Sequence, residues 1–221
     1  MPKTKKEICQ LFRANELRTQ RRFEEAIKIY TQLAQEGSEN AELLAVIGEC
    51  YYEFASVARN ADECNLKAIQ WLERAVAMAP NDASLHARLA LLYWLAVLDY
   101  EHSASEFRIA IELNPNNPDT LLGAAGSYGE PSSAVSLEEA LRWLEMAIRI
   151  DPNNPQYYLR LGDLYDSAGQ TENAEQAWTK ALLCTKAVDV MFTRGLEWKL
   201  CGGRWARAGR SALSAWTRTP R

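Results

Sequence analysis

One pattern recurs along this chain and leaves little freedom in what it can fold into. Leu161-Gly162 is followed by Tyr165, and then Ala174 by Trp178 and Ala181. The same marks return in Ile47-Gly48 and Tyr51 with Ala68, Leu72, Ala75 and Pro80, and in Leu89-Ala90 and Tyr93 with Phe107, Ala110 and Pro115. A further copy is Ala124-Ala125 and Tyr128 with Ala140, Leu144, Ala147 and Pro152. Aligned on the first small residue of each second helix (Ala26, Ala68, Ser103, Ala140, Ala174), the copies stand 42, 35, 37 and 34 residues apart. A period of that length accommodates two helices and their turns, so the chain reads as an array of helical hairpins. One hairpin alone leaves an apolar face bare, and stacking is what makes such an array stable.

The period and the marks resemble the tetratricopeptide repeat, with its W-x-x-L-G-x-x-Y start and its alanine and proline finish. Five units fit, at 7–40, 41–82, 83–117, 118–154 and 155–188, and together they form an array over residues 1–188. The tryptophan site of the pattern holds Leu44, His86, Leu121 and Tyr158, and the first unit keeps mainly Ala14, Ala26 and Tyr30. The resemblance implies an all-α fold, a right-handed superhelical α-solenoid of about five hairpins, closed by a C-terminal capping helix at 189–200. Residues 201–221 then form a basic, flexible tail.

The physical reading of the residues agrees. Small residues on each first helix (Ala14, Gly48, Ala90, Ala125, Gly162) let it approach the alanines of the second helix closely, while Tyr30, Leu72, Phe107, Leu144 and Trp178 fill the gap to the next hairpin. Pro80, Pro115 and Pro152 end helices ahead of Asn-rich turns, and Pro118 and Pro155 suit a first helical turn, where an amide hydrogen is not missed. The second unit is longer than the others, with its excess between Phe54 and Ala68. No helix breaker interrupts that excess, so the expectation is one extra turn on each helix, closed near Arg59 to Asp62. A looped insertion that touches a partner is the alternative.

Composition bounds the function classes. With 48% apolar and 24% charged residues the chain can bury a core, and its longest apolar run, Leu89 to Leu98, is too short to cross a bilayer. The opening residues do not read as a signal peptide. Cys9, Cys50, Cys64, Cys184 and Cys201 are widely spaced, lack a C-x-x-C pair and read as reduced thiols, so the expected location is cytoplasmic. With only His86 and His102, neither in a ligand spacing, no metal site is expected, and His86 reads as a helix-packing residue. No Ser/His/Asp, Cys/His or paired-carboxylate set stands at a chemically meaningful spacing, so catalytic residues, cofactors and enzyme activity are not expected.

In the family that the repeats resemble, first helices line a concave groove. By register the candidate partner-binding residues are Phe12 and Asn15, Glu49 and Tyr52, Arg88 and Trp94, Gly126, and Arg160 and Asp163. Tyr52 and Trp94 are the expected aromatic anchors for a peptide, whereas Tyr51, Tyr93, Tyr128, Tyr165, Trp71, Trp143 and Trp178 fall on packing registers. Some relatives grip a chaperone's C-terminal carboxylate with a fork of lysine, asparagine and arginine. Here only Asn15 and Arg88 match over the first three units, which argues against that ligand. Gly123, Gly126 and Gly129 fall on one face and read as a weak, short helix, or else as a dent where a partner's backbone approaches.

Charge is distributed unevenly. Residues 41–185 carry 9 basic and 21 acidic side chains, and residues 186–221 carry 8 and 2. Arg204, Arg207 and Arg210, interleaved with Trp205 and Trp216, could meet nucleic acid or an anionic membrane, or lie against the acidic body. Two readings of function follow. The first is a scaffold that binds a protein or peptide partner in the groove. The alternative is an adaptor whose tail contacts nucleic acid or membrane while the repeats recruit protein.

Overall fold

Each proline of the repeat acts on the residue before it. The ring's δ-carbon crowds the preceding backbone out of helical geometry, and Ala79, Asn114 and Asp151 accordingly take φ of −136°, −143° and −134°. The helices before Pro80, Pro115 and Pro152 therefore stop at Met78, Leu113 and Ile150. Each next helix starts on a side chain that accepts from its orphan amides. Asp82 takes Ser84 N–H, Asn117 takes Asp119 and Thr120 N–H, and Asn154 takes Gln156 N–H. Pro118 and Pro155 are first residues of their helices, as their missing amide hydrogens allow.

The computed structural model describes residues 4–38, 40–130 and 134–184. The capping helix expected at 189–200 and the tail arginines Arg204, Arg207 and Arg210 lie outside the described residues. Ten α-helices occur among the described residues: α1 (Lys5–Thr19), α2 (Phe23–Leu33), α3 (Ala41–Ala55), α4 (Ala61–Met78), α5 (Ala83–Ala96), α6 (Tyr100–Leu113), α7 (Pro118–Gly126), α8 (Leu137–Ile150), α9 (Pro155–Ser167) and α10 (Thr171–Cys184). No strand occurs among those residues. A π-helical turn, Ala34–Ser38, follows α2. The chain divides into two compact bodies, one up to Pro115 and one from Asn116.

In the N-terminal body the hairpins α1/α2 and α3/α4 share one core with α5. Ala14, Ala26, Tyr30, Leu33, Ile47, Ala68, Leu72 and Ala75 are all fully buried there. Gly48 shows why a small residue stands at the crossing: a Cβ would lie 2.8 Å from the Ala68 carbonyl oxygen. In the C-terminal body α7/α8 and α9/α10 repeat the arrangement. Leu121, Ala124, Ala125, Ala140, Leu144 and Ala147 are buried, and a second cluster joins Tyr158, Leu159, Ala174, Trp178 and Ala181. At Gly162 a Cβ would meet the Trp178 indole at 2.1–2.7 Å.

The extension of the second hairpin differs from expectation. α4 has 18 residues against 14 in α6, α8 and α10, a full turn more, but α3 has 15, hardly longer than α5 with 14. The corner spans residues 56–60, so Asp62 already belongs to α4. Ser56 closes α3 early because its hydroxyl donates to the Glu53 carbonyl (2.7 Å), taking up an orphan acceptor of the last turn. α7 is the short helix that the glycines foretell, with 9 residues ending at Gly126.

Two turns carry left-handed backbone without glycine, Arg21 (φ 59°) and Leu98 (φ 57°). The corresponding turn between α9 and α10 has Gly169 (φ 73°). Leu98 is also 62% exposed, so its side chain contributes little packing. Leu98→Gly should therefore raise stability by about 1 kcal/mol in denaturant unfolding, through relief of the Cβ–carbonyl clash. Gly162→Ala should do the opposite and cost about 2–3 kcal/mol, since the indole cannot retreat within a close-packed layer. Trp178→Leu in the same chain should recover part of that loss.

Candidate partner-binding face

Glu42, Glu49 and Glu53 fall on one face of α3, seven and four residues apart. Arginines reach them from the first helices on either side. Arg18, in the last turn of α1, clamps Glu53 with two bonds, Nε to Oε2 at 2.9 Å and Nη2 to Oε1 at 2.5 Å. Its Nη2 also reaches Glu49 Oε2 at 3.3 Å. From the other side Arg88 of α5 donates Nε to Glu49 Oε1 at 2.7 Å and Nη1 to Glu42 Oε2 at 2.9 Å. Glu49 thus gives one oxygen to each arginine, and the three first helices are tied across one surface. The hydrogen bond to Glu53 is the main cause that lifts the Arg18 guanidinium further above its ordinary range, against an opposing push from burial. Half-exposed pairs of this kind contribute about 0–1 kcal/mol each, so the ladder's effect is chiefly to fix side-chain positions.

Beside Arg18 and Glu53 lies an open cleft of about 690 Å³. Phe23 and Tyr52 supply its aromatic wall, and Arg21, Ser56 and Asn65 its polar edge. The short corner after α3 and the added turn of α4 frame it. Asn65 donates to the Ala96 carbonyl at 3.0 Å, but its Oδ1 is buried without a hydrogen-bond partner.

The residues expected to line a groove meet different surroundings. Phe12 is 65% exposed on α1, and Trp94 is half-buried on α5. Asn15 accepts from the Tyr30 hydroxyl at 2.5 Å, which ties α1 to α2. Burial pushes that hydroxyl up to about 12. Glu49 and Arg88 are joined in the ladder, and Tyr52 enters the cleft. In the C-terminal body Arg160 of α9 donates Nη2 to the Gly126 carbonyl at the end of α7. Asp163 accepts from Trp178 Nε1 at 3.3 Å within its own hairpin. Sequence reasoning missed Arg18, Arg21 and Phe23. The available signal for Arg18 was its place one turn beyond Asn15 on the same stripe of α1.

His86 and Tyr158 hold the same place in their hairpins and behave alike. His86 Nε2 lies 2.9 Å from the Pro80 carbonyl, and the Tyr158 hydroxyl donates to the Pro152 carbonyl at 3.0 Å. Each stitches a first helix to the proline turn six residues before it. The other ring nitrogen of His86 lies 2.6 Å from Glu106 on α6, so this buried histidine packs, as expected. Among the described residues no group of three His, Cys, Asp or Glu side chains could hold a metal ion, and no helix is long and apolar enough to cross a membrane.

Burial also raises the thiols, that of Cys50 from 9.0 to about 12 and that of Cys64 in the same direction. The fold therefore favours the protonated Cys50 thiol, a contribution complete below pH 9 and lost as the pH climbs towards 12. Thiolate is the reactive form. At pH 8 the folded chain should alkylate at exposed Cys9 and spare Cys50 and Cys64 until denaturant is added, with peptide mass mapping as the readout.

Helical hairpins that interlock through alanine and glycine crossings, with side chains from successive first helices meeting on one face, define a helical-repeat protein. Residues 13–83 match a tetratricopeptide repeat family model, and residues 136–169 match a second TPR repeat model. The chain is a tetratricopeptide repeat protein. Among solved structures it is similar to MamA residues 41-end from Desulfovibrio magneticus RS-1, at TM-score 0.70 and 15% identity over 84% of this chain and 98% of that one. It is also similar to two further crystal structures of MamA. One has TM-score 0.66 and 21% identity over 80% of this chain and 91% of that one. The other has TM-score 0.65 and 21% identity over 77% and 93%. At these identities the likeness is one of fold. No curated protein matches the chain in sequence.

Proposed function

We propose that the chain is an interaction scaffold whose first helices hold an extended or helical segment of a protein partner. The observation that carries this reading is the face of the N-terminal body, where the ladder fixes its own charges and an open cleft with an aromatic wall lies beside it. Phe12 is exposed on α1, and the cleft at Tyr52 has room for a large side chain (about 690 Å³). Rigid aromatic anchors beside ordered polar groups are what peptide grooves use, since they give contact area at small entropic cost. Trp94, half-buried on α5, is the third anchor of the proposal.

The test compares affinity capture by the full chain and by Phe12→Ala/Tyr52→Ala/Trp94→Ala, with circular dichroism to confirm retained helicity. A partner held on this face should weaken at least tenfold in the triple variant. Full retention of every captured protein would sink the reading. The same capture with residues 202–221 deleted addresses the adaptor alternative, which predicts loss of salt-sensitive binding to nucleic acid or anionic vesicles.

A further inference from the structure

The two bodies treat an equivalent arginine differently. Arg88 stands five residues after Ala83, the first residue of α5, and Arg160 stands five residues after Pro155, the first residue of α9. Arg88 finds Glu49, eight residues into α3 from Ala41, and Glu42, one residue in. The same two places on α7, counted from Pro118, hold Gly126 and Asp119. Where Arg88 meets a carboxylate, Arg160 meets a residue without a side chain and bonds to its backbone carbonyl instead.

A carbonyl dipole does not neutralise a guanidinium. Asp119, in the place of Glu42, forms no ion pair with Arg160, and neither does any other described carboxylate. Asp163, one turn along α9, accepts instead from the Trp178 indole. Arg160 Nε is moreover buried with no acceptor. A buried donor left unsatisfied costs about 1–3 kcal/mol, so the contact with Gly126 leaves this guanidinium incompletely satisfied as well as unneutralised. The fork geometry of a guanidinium selects a planar, two-oxygen anion.

We infer that Arg160, left without the counter-charge that Glu49 gives Arg88, is a receptor for an aspartate or glutamate side chain of the bound partner. The inference rests on the scaffold reading and specifies the chemistry of the segment it holds. A side-chain carboxylate is the favoured class over a terminal one because a single arginine offers one fork, and neither α7 nor α9 carries a second lysine or arginine. The Gly126 carbonyl adds selectivity of its own. It fixes one edge of the guanidinium, so the anion is taken by the remaining N–H groups in a set orientation.

The test pans random dodecapeptides displayed on phage against the full chain, then measures the enriched peptides by fluorescence anisotropy. The expected result is an enriched set that fixes one Asp or Glu. Its affinity should fall at least tenfold with Arg160→Gln, and equally with Glu→Gln (or Asp→Asn) in the peptide, and the two losses should not add. Arg160→Lys, which keeps the charge without the fork, should lose less than Arg160→Gln. Thermal melts of both variants guard against misfolding, and a folded Arg160→Lys with intermediate affinity carries the argument if Arg160→Gln unfolds. Enriched peptides that weaken with Tyr52→Ala but ignore both Arg160 variants would overturn the inference and leave the scaffold reading standing. Peptides indifferent to every one of these variants, or no enrichment at all, would overturn both.

Discussion

The closest contact in each hairpin is the one on which the rest depends. Where two helices cross at Gly48 or Gly162, a backbone sits so near its neighbour that one added carbon would overlap the Ala68 carbonyl or the Trp178 ring. Helix packing at such short range fixes both the separation and the rotation of the helices, because ridges of side chains have only one set of grooves to enter. The rotation decides which stripe of each first helix stays uncovered. The ladder from Arg18 through Glu49 to Arg88 exists because α1, α3 and α5 are each held at the same rotation, so that residues of similar register face one another. The charge ladder is therefore a consequence of packing that takes place on the opposite side of the same helices.

Much of this was legible in the sequence. Period, prolines, Asn caps and alanine marks each report a local constraint, and local constraints survive into the fold. Asn117 and Asn154 cap the helices that Pro118 and Pro155 begin, and Ala14, Ala26 and Tyr30 are fully buried even though the first copy of the pattern is the most degraded. What was not legible depends on distance in space. The extra length of the second hairpin contains no breaker, so its division between α3 and α4 was decided by Ser56 closing one helix. Arg21 and Leu98 adopt left-handed backbone although neither is glycine, which composition does not announce.

The groove register was legible only as a stripe. It put Glu49 and Arg88 on the stripe but could not say that they bind each other, because pairing between helices depends on which rotamers the neighbours permit. Asn15 and Asp163 illustrate the same limit. Both stand on the expected stripe, yet each is held by an aromatic of its own hairpin, Tyr30 and Trp178. A side chain so engaged offers a partner less than its position implies, since a new bond must first replace an existing one. Phe12 and Tyr52, without such hydrogen bonds in the structure, carry no comparable exchange penalty.

Repetition also makes differences between copies informative in a way that a single site is not. Two residues at one place in the repeat share backbone surroundings, so a change in what they touch is traceable to one or two substitutions. His86 and Tyr158 differ in chemistry but both reach the proline carbonyl behind them, which marks that place as structural. Arg88 and Arg160 are identical in chemistry but differ in partner, which marks theirs as a place where the two bodies differ in charge pairing. A glycine at 126 shortens α7 and removes a carboxylate in one step. Stability alone would favour an acid there, which would satisfy the arginine and extend the helix by propensity. A charge left unbalanced at a position where the same fold demonstrably balances it elsewhere is the kind of local inconsistency that function explains better than folding does.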